Sequence, residues 1–169
     1  MNFFRPTYFV DSVADISADF LIKNDIKALI LDVDDTITTH GSKKIDSKTE
    51  KWLEDLNIHK IKLILLSNNF KYRVSQIAEH IGVPYVYSGM KPLPNGFIKA
   101  LDILHITKEN TMVVGDQIFT DILGANIAGI CSILVEPKGE SQTLLLKIKR
   151  FMEKPFKKRL KKSNLKVKI

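Results

Sequence analysis

Four groups of polar residues have the types and the order to do chemistry together. Asp32, Asp34, Asp35 and Thr36 come first, then Ser67, Asn68 and Asn69, then Ser88 and Lys91, and last Gly115, Asp116, Gln117 and Asp121. Each group follows an apolar run. Aspartates gathered in one place repel each other and require a cation or protons. Hard oxygen ligands of this kind suit Mg²⁺, which takes a few carboxylates and keeps positions for water and phosphate oxygens. An aspartate also serves as a nucleophile that forms an acyl-phosphate. A cation shields its charge from the incoming phosphate. Lysine and hydroxyl groups then hold the oxygens whose charge must be stabilised during phosphoryl transfer.

The elements that must position these residues are legible as alternating patterns. Apolar runs at 27–33, 61–66, 84–87, 111–114 and 131–135 read as strands. Helical patterns occupy about 47–57, 70–81, 95–104 and 119–128, with Ser47-Lys-Thr-Glu50 as a capping box and Gly82 and Gly129 as stops. Near-continuous apolar strands separated by helices argue for one α/β domain of Rossmann-like type. It should hold a parallel five-stranded core sheet with helices on both faces. In an open parallel sheet, ligands sit beyond the carboxyl ends of the strands. The four polar groups should therefore share one crevice.

Taken singly, these residues are less telling. An Asp after a strand, such as Asp34, also caps helices. Ser67-Asn68-Asn69 alone reads as a turn, and Asp121 as a helix-face charge. Asp35 is read as a loop residue without a catalytic role. His40, His59, His80 and His105 lack mutual spacing for a metal site and are expected at the surface. Cys131 is expected in the core.

Together, LDVDDTI (31–37), LLSNN (65–69), KP (91–92) and GDQIFTD (115–121) resemble the four ordered motifs of the haloacid dehalogenase (HAD) phosphatase superfamily. The resemblance covers about residues 20–136. It implies a HAD-like fold and a Mg²⁺ cofactor. It makes Asp32 the nucleophile and a metal ligand. Asp34 becomes the acid and base, and its backbone carbonyl a metal ligand. Thr36 orients the aspartate loop, Ser67 with Asn68 beside it serves the phosphoryl group, and Lys91 offsets charge. Asp116 is implied as a metal ligand, Asp121 as a further ligand or support, and Gly115 as the close backbone approach this loop needs. The gaps between Thr36, Ser67 and Lys91 are filled by the elements already assigned, so no cap domain is expected. An open site suits a phosphate carried by a protein, a nucleic acid or a membrane lipid. The length, the capless spacing, the opening aromatic-Pro segment and the GDQxxTD form are similar to the YqeG-type branch of HAD subfamily IIIA. That branch includes phosphatidylglycerophosphate phosphatases, which implies a phosphorylated lipid head group as substrate.

Composition sets the remaining bounds. The chain of 169 residues is 44% hydrophobic and 27% charged, ordinary for one globular domain. Its lone cysteine precludes an internal disulfide and suits a reducing, cytoplasmic compartment. The opening residues contain no long apolar stretch, so a cleaved signal peptide is not expected. Of the net charge of +7, residues 147–169 supply +10, eleven Lys or Arg against Glu153, which leaves the rest at −3. The organisation expected is a phosphatase domain over 1–146 and a basic amphipathic tail over 147–169. Leu144, Leu145, Ile148, Phe151, Met152 and Phe156 recur at helical spacing with Lys and Arg between them. That suits a helix lying on an anionic membrane through the Lys147–Lys162 region, as a peripheral attachment. Phe3, Phe4, Tyr8 and Phe9 are a candidate second contact. Packing on the domain, a solvated tail and RNA binding stay open as alternatives.

Two other classes compete. A response-regulator receiver also has an early acidic pair and a late Lys-Pro, but its phosphoryl-accepting Asp should follow a strand where Ser88 and Gly89 stand here. A catalytically idle HAD fold used to bind RNA or a partner would tolerate Asp32→Asn, and an enzyme would not.

Overall fold

In the computed structural model, residues 3–139 and 144–162 are described. The strands are β1 (Tyr8–Val10), β2 (Ala28–Leu31), β3 (Lys62–Leu66), β4 (Tyr85–Val86), β5 (Thr111–Gly115) and β6 (Cys131–Val135). They form one sheet in the order β1-β6-β5-β2-β3-β4, with every pairing parallel. Five of the six were expected. The sixth, β1, is a three-residue edge strand that pairs with β6, Phe9 beside Leu134.

The alternation of side chains along each strand divides the core in two. Leu29, Leu31, Leu63 and Leu65 face one layer, with Leu21, Trp52, Leu56, Val74 and Ile77. That layer is built by α1 (Ala18–Lys23), α2 (Ser47–Ile58) and α3 (Lys71–Ile81). Ala28, Ile30, Ile64 and Leu66 face the other, with Phe97, Ala100, Leu104 and Ala125. There lie α4 (Asn95–Leu104) and α5 (Leu123–Ala128). Trp52 ties the first layer to the N-terminal segment by donating from Nε1 to Ile16 O at 2.7 Å.

Several local expectations are corrected. Asp46, not Ser47, caps α2: its carboxylate accepts from Thr49 N at 3.0 Å, which satisfies an otherwise orphaned first-turn N–H. Three of the four N-terminal aromatics are engaged by the domain: Phe9 is buried in the core, Tyr8 packs edge-on against Phe20, and Phe4 packs against Phe119 and Phe156, while Phe3 is exposed. Cys131 opens β6 with its side chain exposed. The last helix, α6 (Leu144–Lys162), has an inner face on the domain: Leu160 is buried with Phe9, Ile118, Ile122 and Leu134. Its outer residues Ile148, Phe151 and Met152 are exposed. Of the sequence's candidate membrane face, Leu144 and Leu145 have side chains outside the described set. Among the described residues, no helix is long and apolar enough to cross a membrane.

Between Thr36 and Ser67 the chain forms a short loop, α2 and β3; between Ser67 and Lys91 it forms α3 and β4. Neither stretch builds a separate domain over the carboxyl edge of the sheet.

Candidate active site

The parallel register brings the polar groups together. Leu31 lies beside Val114 on one side and Leu65 on the other. Asp32, Asp116 and Ser67 therefore leave neighbouring strands at the same edge. Lys91 arrives from the loop after β4 and spends its three donors there. Its Nζ donates to Asp32 Oδ1 at 2.5 Å, to Asp121 Oδ1 at 2.7 Å and to Leu66 O at 2.9 Å. Asn68 fixes the Lys91 backbone from both sides, accepting from Lys91 N at 2.7 Å and donating to Lys91 O at 3.0 Å. Thr36 Oγ1 donates to Asp32 Oδ2 at 3.3 Å. Ser67 is buried, and its Oγ accepts from Asn69 N at 3.1 Å.

Asp121 sits on a single π-type turn, Ile118–Ile122, that runs into α5. Its Oδ2 accepts from Gln117 N at 3.1 Å. Gly115 is required below it: a Cβ there would lie 2.4 Å from Asp121 Cγ. Carboxylate oxygens of Asp32, Asp116 and Asp121 all lie within 4.8 Å of one another, and all three residues are buried. Both Asp116 oxygens are buried without a hydrogen-bond partner. Arg150 Nη2 stands 3.7 Å from Asp116 Oδ2, too far to hydrogen-bond, so the buried carboxylate is left with spare acceptor capacity. A set of hard oxygen donors with that capacity fits a divalent cation such as Mg²⁺.

The electrostatics say the same. Burial pushes Asp32 up to about 7 despite Lys91, and the repulsion of Asp121 adds to it. Burial raises Asp116 well above the usual carboxylate range, helped by Asp32 and Asp121. Burial also opposes the charge on Lys91, but Asp121 and Asp32 outweigh it and raise its pKa. Lys91 within the cluster, with Lys157 acting on Asp116 from outside it, does not offset the burial and mutual repulsion that raise Asp32 and Asp116.

Asp34 is at the mouth but outside this cluster. Its Oδ1 accepts from Arg73 Nη2 at 2.5 Å, and its Oδ2 from Asn69 Nδ2 at 2.9 Å. Burial would raise its pKa, but Arg73 and Asn69 overcome that and lower it. The side-chain cluster contains Asp121, implied above as a further ligand or support; the metal contact implied for Asp34 is its backbone carbonyl, not this carboxylate.

Sequence reasoning missed the part played by α6. Arg150 Nη2 donates to Asp35 Oδ2 at 2.7 Å and lies 3.7 Å from Asp116 Oδ2. Glu153 accepts from Phe119 N at 3.1 Å, inside the loop that carries Asp116 and Asp121. Lys157 Nζ donates to Asp116 O at 3.2 Å. Asp35, read as a plain loop residue, is buried with a left-handed backbone (φ 63°) and also accepts from His40 N at 2.9 Å. The signal for these contacts was faint: one acid, Glu153, stood alone in a basic run.

The model of a family described as "Hydrolase: haloacid dehalogenase-like hydrolase" matches residues 41–129, just over half of the chain. A Bacillus subtilis protein named "Probable phosphatase YqeG" is 32% identical over 153 residues, 90% of this chain and 89% of its own length. The chain belongs to the haloacid dehalogenase-like hydrolases. A Schizosaccharomyces pombe relative, named "Probable phosphatidylglycerophosphatase, mitochondrial", is 29% identical over 80% of this chain and 72% of its own length. Among solved structures, the 4-nitrophenylphosphatase of Thermotoga maritima superposes with a TM-score of 0.59 at 14% identity. It covers 70% of this chain and 89% of its own. That likeness is one of fold. As a HAD hydrolase with phosphatase-named relatives, the protein is an enzyme, and the Asp32–Lys91–Asp116–Asp121 cluster stands at the sheet edge where a parallel α/β fold places its ligand.

Proposed function

We propose that this HAD phosphatase removes the terminal phosphate of phosphatidylglycerophosphate through an aspartyl-phosphate on Asp32. The observation that carries the chemistry is the contact of Asp32 with Lys91 beside a buried Asp116 carboxylate whose oxygens accept no hydrogen bond. Mg²⁺ held by Asp32 and Asp116, with Asp121 and the Asp34 backbone carbonyl as further candidates, supplies the positive charge that lets an anionic phosphate approach a carboxylate.

The residues of the chain then divide the work. Asp32 attacks phosphorus, and the bond from phosphorus to the glycerol oxygen breaks. The proton for that oxygen comes from Asp34. A water next attacks the phosphorus of the aspartyl-phosphate and gives its proton to Asp34, which restores Asp32 and releases phosphate. Ser67 and Lys91 hold the phosphoryl oxygens, while Thr36 and Asn68 orient Asp32 and Lys91. This cycle asks Asp34 to leave Arg73 as substrate enters, because the ion pair favours the charged form.

A capless site and the likeness to the fission-yeast phosphatidylglycerophosphatase support a lipid substrate. The outer face of α6 supports contact with an anionic membrane: exposed Ile148, Phe151 and Met152 are flanked by exposed Lys147, Lys154 and Lys158. A reducing, cytoplasmic setting with peripheral attachment remains our reading. Phosphoproteins or nucleic acids as substrates, and RNA as a partner of the basic tail, are the alternatives.

The test is phosphate release with Mg²⁺ from phosphatidylglycerophosphate in mixed micelles, beside sugar, nucleotide and aryl phosphates, with Asp32→Asn protein as blank. A strong preference for the lipid is expected. Hydrolysis of the aryl phosphate alone would keep the phosphatase and discard the lipid.

A further inference from the structure

Among the described residues, fifteen large apolar or aromatic side chains are exposed. Five fall within two neighbouring stretches at the carboxyl ends of β3 and β4: Phe70 (81% exposed), Tyr72 (72%), Tyr87 (45%), Met90 (59%) and Leu93 (52%). Backbone hydrogen bonds join these stretches. Ser88 N donates to Asn69 O at 3.1 Å, and Gly89 N to Ser67 O at 2.9 Å. The same two stretches deliver Ser67, Asn68 and Lys91 to the site. Met90, next to Lys91, holds a left-handed backbone (φ 48°), a conformation that few residues other than glycine adopt. Its side chain is nonetheless left in solvent.

A third stretch completes the surround. Arg73 Nη2 donates to Ser42 O at 2.9 Å, and Lys43 Nζ lies 5.2 Å from the centre of the Tyr72 ring. Lys43, Lys44 and Lys71 are exposed. Residues 39–45, 68–73 and 87–95 contain no Asp or Glu. The body of the protein outside its tail carries net negative charge, so an acid-free, lysine-bearing, apolar collar at this one place is a local departure from it.

We propose that this collar is an interfacial docking surface for an anionic phospholipid bilayer, with Phe70, Tyr72, Met90 and Leu93 entering the head-group layer and Lys43, Lys44 and Lys71 pairing with lipid phosphates. It rests on the reading of the substrate as a phospholipid and adds a surface distinct from α6. Aromatic and aliphatic side chains ringed by lysines are the composition of shallow membrane contacts. Asp34, an acid that reaches these stretches, is largely buried and paired to Arg73. The exposed charge of the collar is that of its lysines, which suits a phosphate surface, where a protein partner would find both signs. A capless site also needs something else to exclude bulk water from its mouth, and a bilayer pressed on this collar does so while the head group reaches Lys91.

The test uses full-length protein and vesicles of phosphatidylglycerol and phosphatidylcholine without substrate. Sedimentation with anionic vesicles is expected to fall at least tenfold for Phe70→Ser/Tyr72→Ser/Met90→Ser/Leu93→Ser and for Lys43→Glu/Lys44→Glu/Lys71→Glu. Equal partition for these variants and the parent overturns the proposal. So does loss of partition only on Phe151→Ser/Met152→Ser, which assigns docking to α6. A collar variant that turns a dimer into a monomer with unchanged partition overturns it too, in favour of a second copy of the chain. If the multiple variants do not fold, Phe70→Trp reports directly: its emission shifts to the blue on vesicle addition, and an unshifted spectrum refutes insertion. Collar-dependent binding without lipid hydrolysis would keep the docking surface and discard the substrate.

Discussion

Arg150 on the last helix is ion-paired to Asp35 at 2.7 Å, so the loop that carries the nucleophile is held by a residue 115 positions later. Both side chains are largely buried. Removing one partner of a buried pair leaves an uncompensated charge and costs about 3–5 kcal/mol. Arg150→Ala should lower the melting temperature by about 10 °C. Deleting residues 144–169 should abolish turnover of soluble aryl phosphates as well as lipid. An unchanged melting curve for Arg150→Ala, or full aryl-phosphatase activity in the truncated chain, would refute the structural role of α6.

Asp32→Asn should abolish turnover, because a neutral amide does not attack phosphorus. Wild-type protein quenched in acid during turnover of a phosphate-labelled substrate should keep the label, and hydroxylamine should release it. Steady-state turnover by the Asn variant would sink the nucleophile assignment. Asp34→Asn should slow a substrate with a poor leaving group by about 10²-fold.

The raised carboxylates link stability to pH without metal. Asp32 titrates near 7 in the fold and near 3.8 when unfolded. Between those values the native state holds a proton that the unfolded chain has released, so stability falls as pH rises through that window. Asp116, also raised, acts in the same direction. The metal-free melting temperature should therefore drop from pH 5 to pH 8. Added Mg²⁺ should restore it, with the larger gain at pH 8, and a chelator should remove both the gain and the activity. A flat profile, or an equal Mg²⁺ effect at both pH values, would count against a cation at these residues.

Gly115→Ala should cut activity by about 10²-fold, since the new methyl displaces the Asp121 carboxylate and small misplacements of catalytic groups carry losses of that order. Normal kinetics would show that the Asp121 position is not used.

Much of this was legible in the sequence because the relevant signals are local and periodic. Buried parallel strands such as Ala28–Leu31 are unbroken apolar runs, and the residues after each must share an edge. That logic brings Asp32, Ser67, Lys91 and Asp116 to one edge of the sheet, where the register also puts them. It failed where a contact depends on a partner's orientation. The apolar and basic spacing of α6 reads alike whether Arg150 points into the domain or out to solvent. The pairing of Asp34 was not legible because Arg73 lies 39 positions on, in the first turn of α3. β1 is too short for a period; Phe70 and Tyr72 open the helical pattern of 70–81, whose first turn does not tell an exposed aromatic from a buried one, and Met90 lies in a loop.

The place of Arg150 in the chain has a further consequence for biosynthesis. Translation proceeds from the N-terminus, so Asp32, Ser67, Lys91, Asp116 and Asp121 all leave the ribosome before Arg150. At about 5–20 residues per second, the interval is a few seconds. During it Asp35 lacks its guanidinium, and the Asp116 loop lacks its clamp. A polypeptide cut short by an early stop codon would carry every catalytic motif and still lack the finished site.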